Sequence, residues 1–453
     1  MMDLPQYFLA DLPGETRLSG ELVSQACQQL KRNRARYRDA LTTLQVLEAV
    51  ATMAARWRED DFVFRRHVLE NAALTGFSRP TLSRGLDQFF GRITRENLHY
   101  LLAQEVGDPR RLDAPVATAE ERAEDRSAIA SAPELLVHIA PGTLPCPAWM
   151  SLIQGLLSGS AHFTKCATGT GFLPRMFAHS LYDAYPKLGS CIELAIWPGG
   201  REDLETPLLH EADCVLANGS DRTIADLQRR MPSGKRFLSH GHRVSFGYIT
   251  QDRLGRAQAR ELAALAAADV AAWNQLGCLS PHAFYVEAGG VVDPKEFAAM
   301  LATELEAIEK VAPRGEVSAM VAGEIAHRRA FYEVREAHTG DVRLWCSRDS
   351  TAWTVVLEQD PQFTHSCMHR FVYVKEVDNL DHALRAIEPI RGKVSTVALA
   401  AAKTAQVELV RRLARWGVPR VCPIGRMQDP PLSWRQDGRP PMADWLTWTD
   451  WEH

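Results

Sequence analysis

The sequence predicts an α/β protein: a helical lead-in, a doubly wound parallel-sheet unit, a second α/β unit and a tail ordered against the body. Three observations carry this. The first hundred residues show helical periodicity without intervening strand signals. From Glu134 to Gly241, short apolar runs alternate with amphipathic stretches in a regular strand–helix order, as expected of parallel strands joined by crossover helices. A second alternation of strands and helices follows Pro281.

In the lead-in, Leu41, Leu44, Val46, Leu47, Val50 and Met53 recur at helical spacing. The basic run Lys31 to Arg38 reads as a solvated helix face, because nearby acids and the chain's net charge cancel its field. Residues 107–130 are polar and read as a connection. The next unit contains the strands ELLVHIA, AHFTKCA, CIELAIWP, DCVLANG and KRFLSHG, separated by four helices. Ligands of such units bind outside the carboxyl ends of the strands. The candidate loops are therefore PGTLP, KCATGTG, WPGG, ANGS and SHGHR.

An Ala-rich helix, RAQARELAALAAADVAAW, leads to the strand AFYVEAG and two long helices. The strands VRLWCS, TAWTVVLE, RFVYVKEV and STVALA complete the second unit, and a proline- and tryptophan-rich tail follows. The expected divisions are a helical region over 1–115, a dinucleotide-binding domain over 116–272, a thiol domain over 273–405 and a packed segment over 406–453.

Hydrophobic content of 46% and charged content of 24% are those of an ordinary globular protein. A net charge of -4 gives no footprint for nucleic acid or an anionic membrane. No apolar run approaches the ~18 residues of a membrane span, and the start lacks the basic and apolar regions of a secretory signal. The nine cysteines are scattered, without a CxxC pair, a poor framework for disulfides or zinc. A cytoplasmic setting is expected, with most thiols acting as small hydrophobes.

Cys278 differs from the others. It lies at a helix–strand junction in WNQLGCLSP, after Gly277, where a backbone N–H can be presented beside the sulfur. That context reads as a nucleophile.

The stretches HIAPGTLPCPAW, ADCVLANGSDRTIADLQ, GHRVSFGYI, NQLGCLSP, RFVYVKEVDNLDHAL and GVPRVCPIGRM, with WRQDG beyond, together resemble the LuxC-type acyl-CoA reductase family. This family lies within the aldehyde dehydrogenase superfamily. The resemblance implies a Rossmann-type cofactor domain beside a catalytic α/β domain, and reduction of an acyl thioester to an aldehyde with NADPH. Cys278 would hold the acyl group. Thr143 stands where the superfamily usually places an oxyanion-binding Asn; it reads equally as a turn residue in PGTLP. Lys165 would meet the cofactor's ribose or 2′-phosphate. Thr168 replaces a Glu common in NAD-preferring members, which favours NADP(H). Gly219 and Ser220 would face the pyrophosphate, although a Gly-Ser at a helix start also serves as a turn and cap. In WRQDG, Trp434 and Asp437 read as fixing the tail against the cofactor domain or another subunit.

SHGHR occupies the place of a motif whose glutamate activates the deacylating water. No acid lies between Asp226 and Asp252, which suits an enzyme that keeps its acyl thioester for reduction. His242 is carried as a candidate site residue, with simple packing as the competing reading. HSCMH (365–369) is not read as a metal site. The family further implies acyl-CoA or an acyl-carrier protein as donor, an acyl-activating partner protein and a homo-oligomer. Two other readings stand beside the reductase: an oxidising NAD(P)-dependent aldehyde dehydrogenase, and an impaired acyl-carrier-binding relative.

Overall fold

The computed structural model describes residues 4–13 and 16–452. Its strands, in chain order, are β1 (Arg126–Ser131), β2 (Leu135–Ile139), β3 (Ala161–Cys166), β4 (Ile192–Ile196), β5 (Cys214–Asn218), β6 (Arg236–His240) and β7 (Val244–Ile249). They continue with β8 (Pro281–Glu287), β9 (Val342–Cys346), β10 (Thr354–Glu358), β11 (Phe371–Val377), β12 (Val394–Ala400), β13 (Val421–Cys422) and β14 (Thr447–Glu452).

The five strands read from sequence form one parallel sheet in the order β4-β3-β2-β5-β6. Alternate residues of β2 divide between two cores, as the two-residue period of a strand requires. Leu135, Val137 and Ile139 pack with the helices Gly20–Asn33 and Glu202–Glu211, whereas Leu136 faces Leu152, Leu156 and Phe177. The helical lead-in is therefore not a separate layer at one end. Its first long helix covers one face of this sheet, while Val50, Trp57 and Phe90 join the core on the other.

The second sheet has seven strands, ordered β13-β12-β7-β8-β11-β10-β9, and only the β9–β10 pairing is antiparallel. The helices Arg256–Ala271 and Pro294–Val311 cover one face; Ala319–His338, Leu380–Ala386 and Lys403–Trp416 cover the other.

The expected boundary after residue 272 is corrected by this topology. The chain leaves the first sheet at His240 and enters the second at Val244, and the Ala-rich helix packs in the second core. VSFGYI is buried at every position, so its burial is satisfied between β12 and β8. The polar stretch 107–130 also departs from a plain connection. Its end forms β1, paired antiparallel with the tail strand β14 from Arg126↔Glu452 to Ser131↔Thr447.

Candidate active site

The crossing at residues 241–243 sets the geometry. It joins the carboxyl end of β6 to the amino end of β7, so the ligand edge of the first sheet faces the amino edge of the second. Cys278 precedes β8 by three residues and lies on that amino edge. Its carbonyl accepts a hydrogen bond from Ser245 Oγ at 2.7 Å, and Ser245 Oγ accepts from the Thr396 N–H at 3.1 Å. The turn holding the thiol is thus tied to the first residues of β7 and β12.

The approach to Cys278 is conformationally strained. Trp273, Asn274 and Gln275 have φ of 50°, 53° and 64°, and facing them Met368, His369 and Arg370 have φ of 58°, 54° and 68°. Left-handed backbone costs a non-glycine residue on the order of 1 kcal/mol or more, so six such residues must be held by their surroundings. The buried Gln275 amide donates to the carbonyls of Pro281 and Phe371 and accepts from the Phe371 N–H, each at 2.8 Å. The Arg370 guanidinium, 1% exposed, donates to Asn274 Oδ1 at 3.1 Å and Glu309 at 2.8 Å. Trp273 inserts its ring against the lead-in, where a Cβ on Gly85 would lie 2.4 Å from it.

Cys278 is exposed to solvent yet densely surrounded, as at the floor of a crevice. Desolvation by these walls, and then the Asp437 carboxylate, push its thiol up to about 11; its own N–H, Ser395 and Arg243 act in the opposite sense. The expected dipoles are present but outweighed, and at neutral pH the group is a thiol. Ser395 was not legible as a site residue. Its hydroxyl is buried without a hydrogen bond of normal geometry, close enough to favour the thiolate.

Asp437 ties the tail to the end of β6, in line with the role expected for WRQDG, and it does more than that. The segment SHGHR carries no acid, yet the tail brings a carboxylate to the thiol's neighbourhood. Asp437 Oδ2 pairs with His240 Nδ1 at 2.8 Å and Oδ1 with Arg243 Nε at 3.5 Å. Burial opposes its ionisation, but His240 and Arg243 prevail and hold it below the usual carboxylate range. Asp437→Asn, which tolerates the left-handed φ of 53°, is expected to speed iodoacetamide alkylation of Cys278 severalfold at pH 8. An unchanged rate would mean that the carboxylate does not act on the sulfur.

Thr143 lies on an exposed turn after β2, and its side chain makes no hydrogen bond among the described residues. The next residue, Leu144, reaches Cys278's neighbour: a Cβ on Gly277 would lie 3.0 Å from Leu144 Cδ1. The PGTLP loop and the thiol turn therefore meet.

Lys165 and Thr168 stand at the end of β3, and Gly219 and Ser220 at the end of β5, on either side of β2. Lys165 is 3% exposed, and its ammonium makes no hydrogen bond or ion pair among the described residues. Burial lowers its pKa, opposed by Glu205. Thr168 is exposed in the turn that Gly169 makes with φ of 88°. Ser220 caps the helix Asp221–Arg230 by accepting the Thr223 N–H. Asp221 occupies that same first turn, but its carboxylate is engaged by the His242 N–H at 3.0 Å and Lys393 at 3.3 Å. Lys165 at the end of β3, the open turn at Gly169 and the helix start at Ser220 together fit a nicotinamide dinucleotide at this edge.

His242 is exposed, and its ring contacts His365 at 5.7 Å. The imidazole tied to the thiol's acidic neighbour is His240 instead. HSCMH is a loop ending in the left-handed turn, not a strand. His365 meets His282 edge-on at 5.8 Å, and among the described residues no three ligand-type side chains converge on one point.

The sequence model for acyl-CoA reductases (LuxC) matches residues 39–448. A long-chain acyl-protein thioester reductase of Aliivibrio fischeri is 22% identical over 394 residues, covering 84% of this chain and 76% of that protein. Among solved structures, a proline utilization A (PutA) protein superposes with a TM-score of 0.73 at 15% identity. The match covers 96% of this chain but 45% of that one. A betaine aldehyde dehydrogenase of Staphylococcus aureus gives 0.69 at 15% identity, covering 99% and 91%. These neighbours establish an aldehyde-dehydrogenase-like fold. Among the described residues no helix is long and apolar enough to cross a membrane. With nine-tenths of its length matched and the thiol turn at the meeting edges of its two sheets, this chain belongs to the LuxC family of acyl-CoA reductases.

Proposed function

We propose that this protein reduces an acyl thioester to an aldehyde at the expense of NADPH, through an acyl group carried on Cys278. The observation that carries the reading is the pairing of an accessible thiol with a neighbouring carboxylate whose two oxygens are both committed, to His240 and Arg243. A carboxylate so held is poorly placed to take a proton from water, so the acyl-enzyme is protected from hydrolysis.

In the first half-reaction Cys278 Sγ attacks the thioester carbonyl. The Cys278 N–H and the Thr143 hydroxyl would stabilise the resulting oxyanion. Collapse expels the carrier thiol, which leaves with the proton that Cys278 gave up. The nicotinamide cofactor, when bound, supplies the hydride that releases the aldehyde from Cys278. Lys165 would hold the 2′-phosphate, and Gly219 and Ser220 would border the pyrophosphate. The acyl donor is acyl-CoA or an acyl-carrier protein. An acyl-activating partner protein, a homo-oligomer and a cytoplasmic setting accompany this reading on the strength of the family alone.

The decisive assay follows NADPH oxidation with a panel of acyl-CoAs and traps the acyl-enzyme on the Cys278 peptide by mass spectrometry. Oxidation of an aldehyde with NADP and without CoA would instead favour an oxidising dehydrogenase. Cofactor choice has its own test. Thr168→Glu places an anion at the turn beside Lys165 and is expected to lower the NADPH-to-NADH ratio of kcat/KM by about tenfold. An unchanged ratio would remove Thr168 from cofactor selection.

A further inference from the structure

A crevice of about 840 Å³ opens between the lead-in and the tail, lined among others by Gln88, Arg92, Arg420, Arg426, Trp434 and Arg435. Asp429 is the one acid among its lining residues, against four guanidinium groups. Arg92 and Arg426 both pair with Asp429, the latter at 2.8 Å. Arg420 donates to the carbonyls of Arg426 and Met427 at 2.7 Å and lies 5.6 Å over the Trp434 ring. The Arg435 side chain makes no hydrogen bond or ion pair among the described residues, and Arg426 is 63% exposed. Burial, and then repulsion from Arg426 and Arg420, push Arg92 down to about 10, as in a site with positive charge in excess.

The crevice wall runs into the thiol turn. The Gln428 side chain donates to Ser280 Oγ, and a Cβ on Gly277 would lie 2.9 Å from Gln428 Nε2. Its carbonyl accepts from Gln88 at 3.3 Å. Asp269, on the Ala-rich helix, fixes the same wall by accepting the N–H groups of Gly425 at 2.6 Å and Met427 at 3.0 Å. Apolar side chains such as Val421 and Leu432 share this lining, but its four guanidinium groups against one acid make it a cationic crevice. It suits a phosphate ester attached to the group that delivers the thioester.

We infer that this arginine crevice binds the phosphate of the phosphopantetheine arm of the acyl donor, delivering its thioester to Cys278 from the side of the lead-in and tail. The inference rests on the thioester-reductase reading. Arg426 and Arg435, the two most open guanidinium groups, would contact the phosphate, with Arg92 and Arg420 setting the field behind them.

The test compares the wild type with Arg426→Gln/Arg435→Gln, using matched acyl-pantetheine, acyl-phosphopantetheine, acyl-CoA and acyl-holo-carrier protein. In the wild type the phosphate is expected to lower KM by about tenfold or more relative to acyl-pantetheine, as for a charge-assisted contact. In the double variant that advantage should collapse. Loss with either complete donor supports the site, and the donor that loses more is its source. The same phosphate advantage in both proteins, or none in the wild type, overturns it. A wild type that reduces no thioester defeats the functional reading instead. Calorimetric binding of CoA then still decides the crevice: weakening by about tenfold in the double variant supports it, and equal binding overturns it.

Discussion

Cys278→Ala is expected to abolish aldehyde formation, with a fall in kcat on the order of 10³-fold or more, while binding of NADPH and the thermal midpoint stay close to wild type. The residue is exposed and packs little of its own surface into either core, so its removal tests chemistry rather than folding. The same sulfur makes a signed pH prediction. With the thiol pushed up to about 11 by crowding and by Asp437, the thiolate is scarce in the free protein at pH 7. Its fraction should grow about tenfold per pH unit. Iodoacetamide alkylation of the Cys278 peptide, followed by mass spectrometry, should therefore climb from pH 7 to pH 10 without levelling. A plateau below pH 8 would contradict the raised thiol. Turnover that is brisk at neutral pH beside slow alkylation would mean that bound substrate or cofactor completes the activation.

Gln275→Ala should produce the largest loss of stability in the region. The side-chain amide is the partner of three buried backbone groups: the Pro281 and Phe371 carbonyls and the Phe371 N–H. The Phe371 N–H keeps the Met368 carbonyl at 3.0 Å, but the two carbonyls lose this donor at about 1–3 kcal/mol each, so a total of about 2 kcal/mol or more is expected. Two left-handed triplets lose their mutual clamp in the same step. The thermal midpoint should fall clearly, and activity should fall further than the midpoint explains, because the thiol lies three residues beyond Gln275. A midpoint equal to wild type would mean that the triplets hold their geometry without the clamp. Normal activity in a destabilised variant would separate the clamp from the site.

Much of the site's ground plan is legible in the sequence because it depends on local pattern. The strands from ELLVHIA to KRFLSHG are short apolar runs closed by glycine-rich turns, and their parallel order follows from the helices between them. That pattern alone places Lys165, Thr168, Gly219 and Ser220 on one edge. Cys278 is legible from its junction. VSFGYI is not legible as the strand that begins the second sheet. A buried run of that length carries no mark of which sheet receives it, and here β12 and β8 decide. The β1–β14 pair is equally hidden, since its partners are more than 300 residues apart and β14 is exposed along its whole length.

The sequence by itself determined the two α/β units, the thiol at their junction and the absence of an acid in SHGHR. Those features live in composition and period along the chain, which folding preserves. Tertiary structure alone decided what surrounds the sulfur. It brought Asp437 back from the tail to His240, set Ser395 beside the thiol and joined two strained triplets at the amino edge of the second sheet. It also gathered arginines from the lead-in and the tail into one crevice. Electrostatic influence depends on distance in space and on the water excluded between groups, and neither quantity is written in residue order.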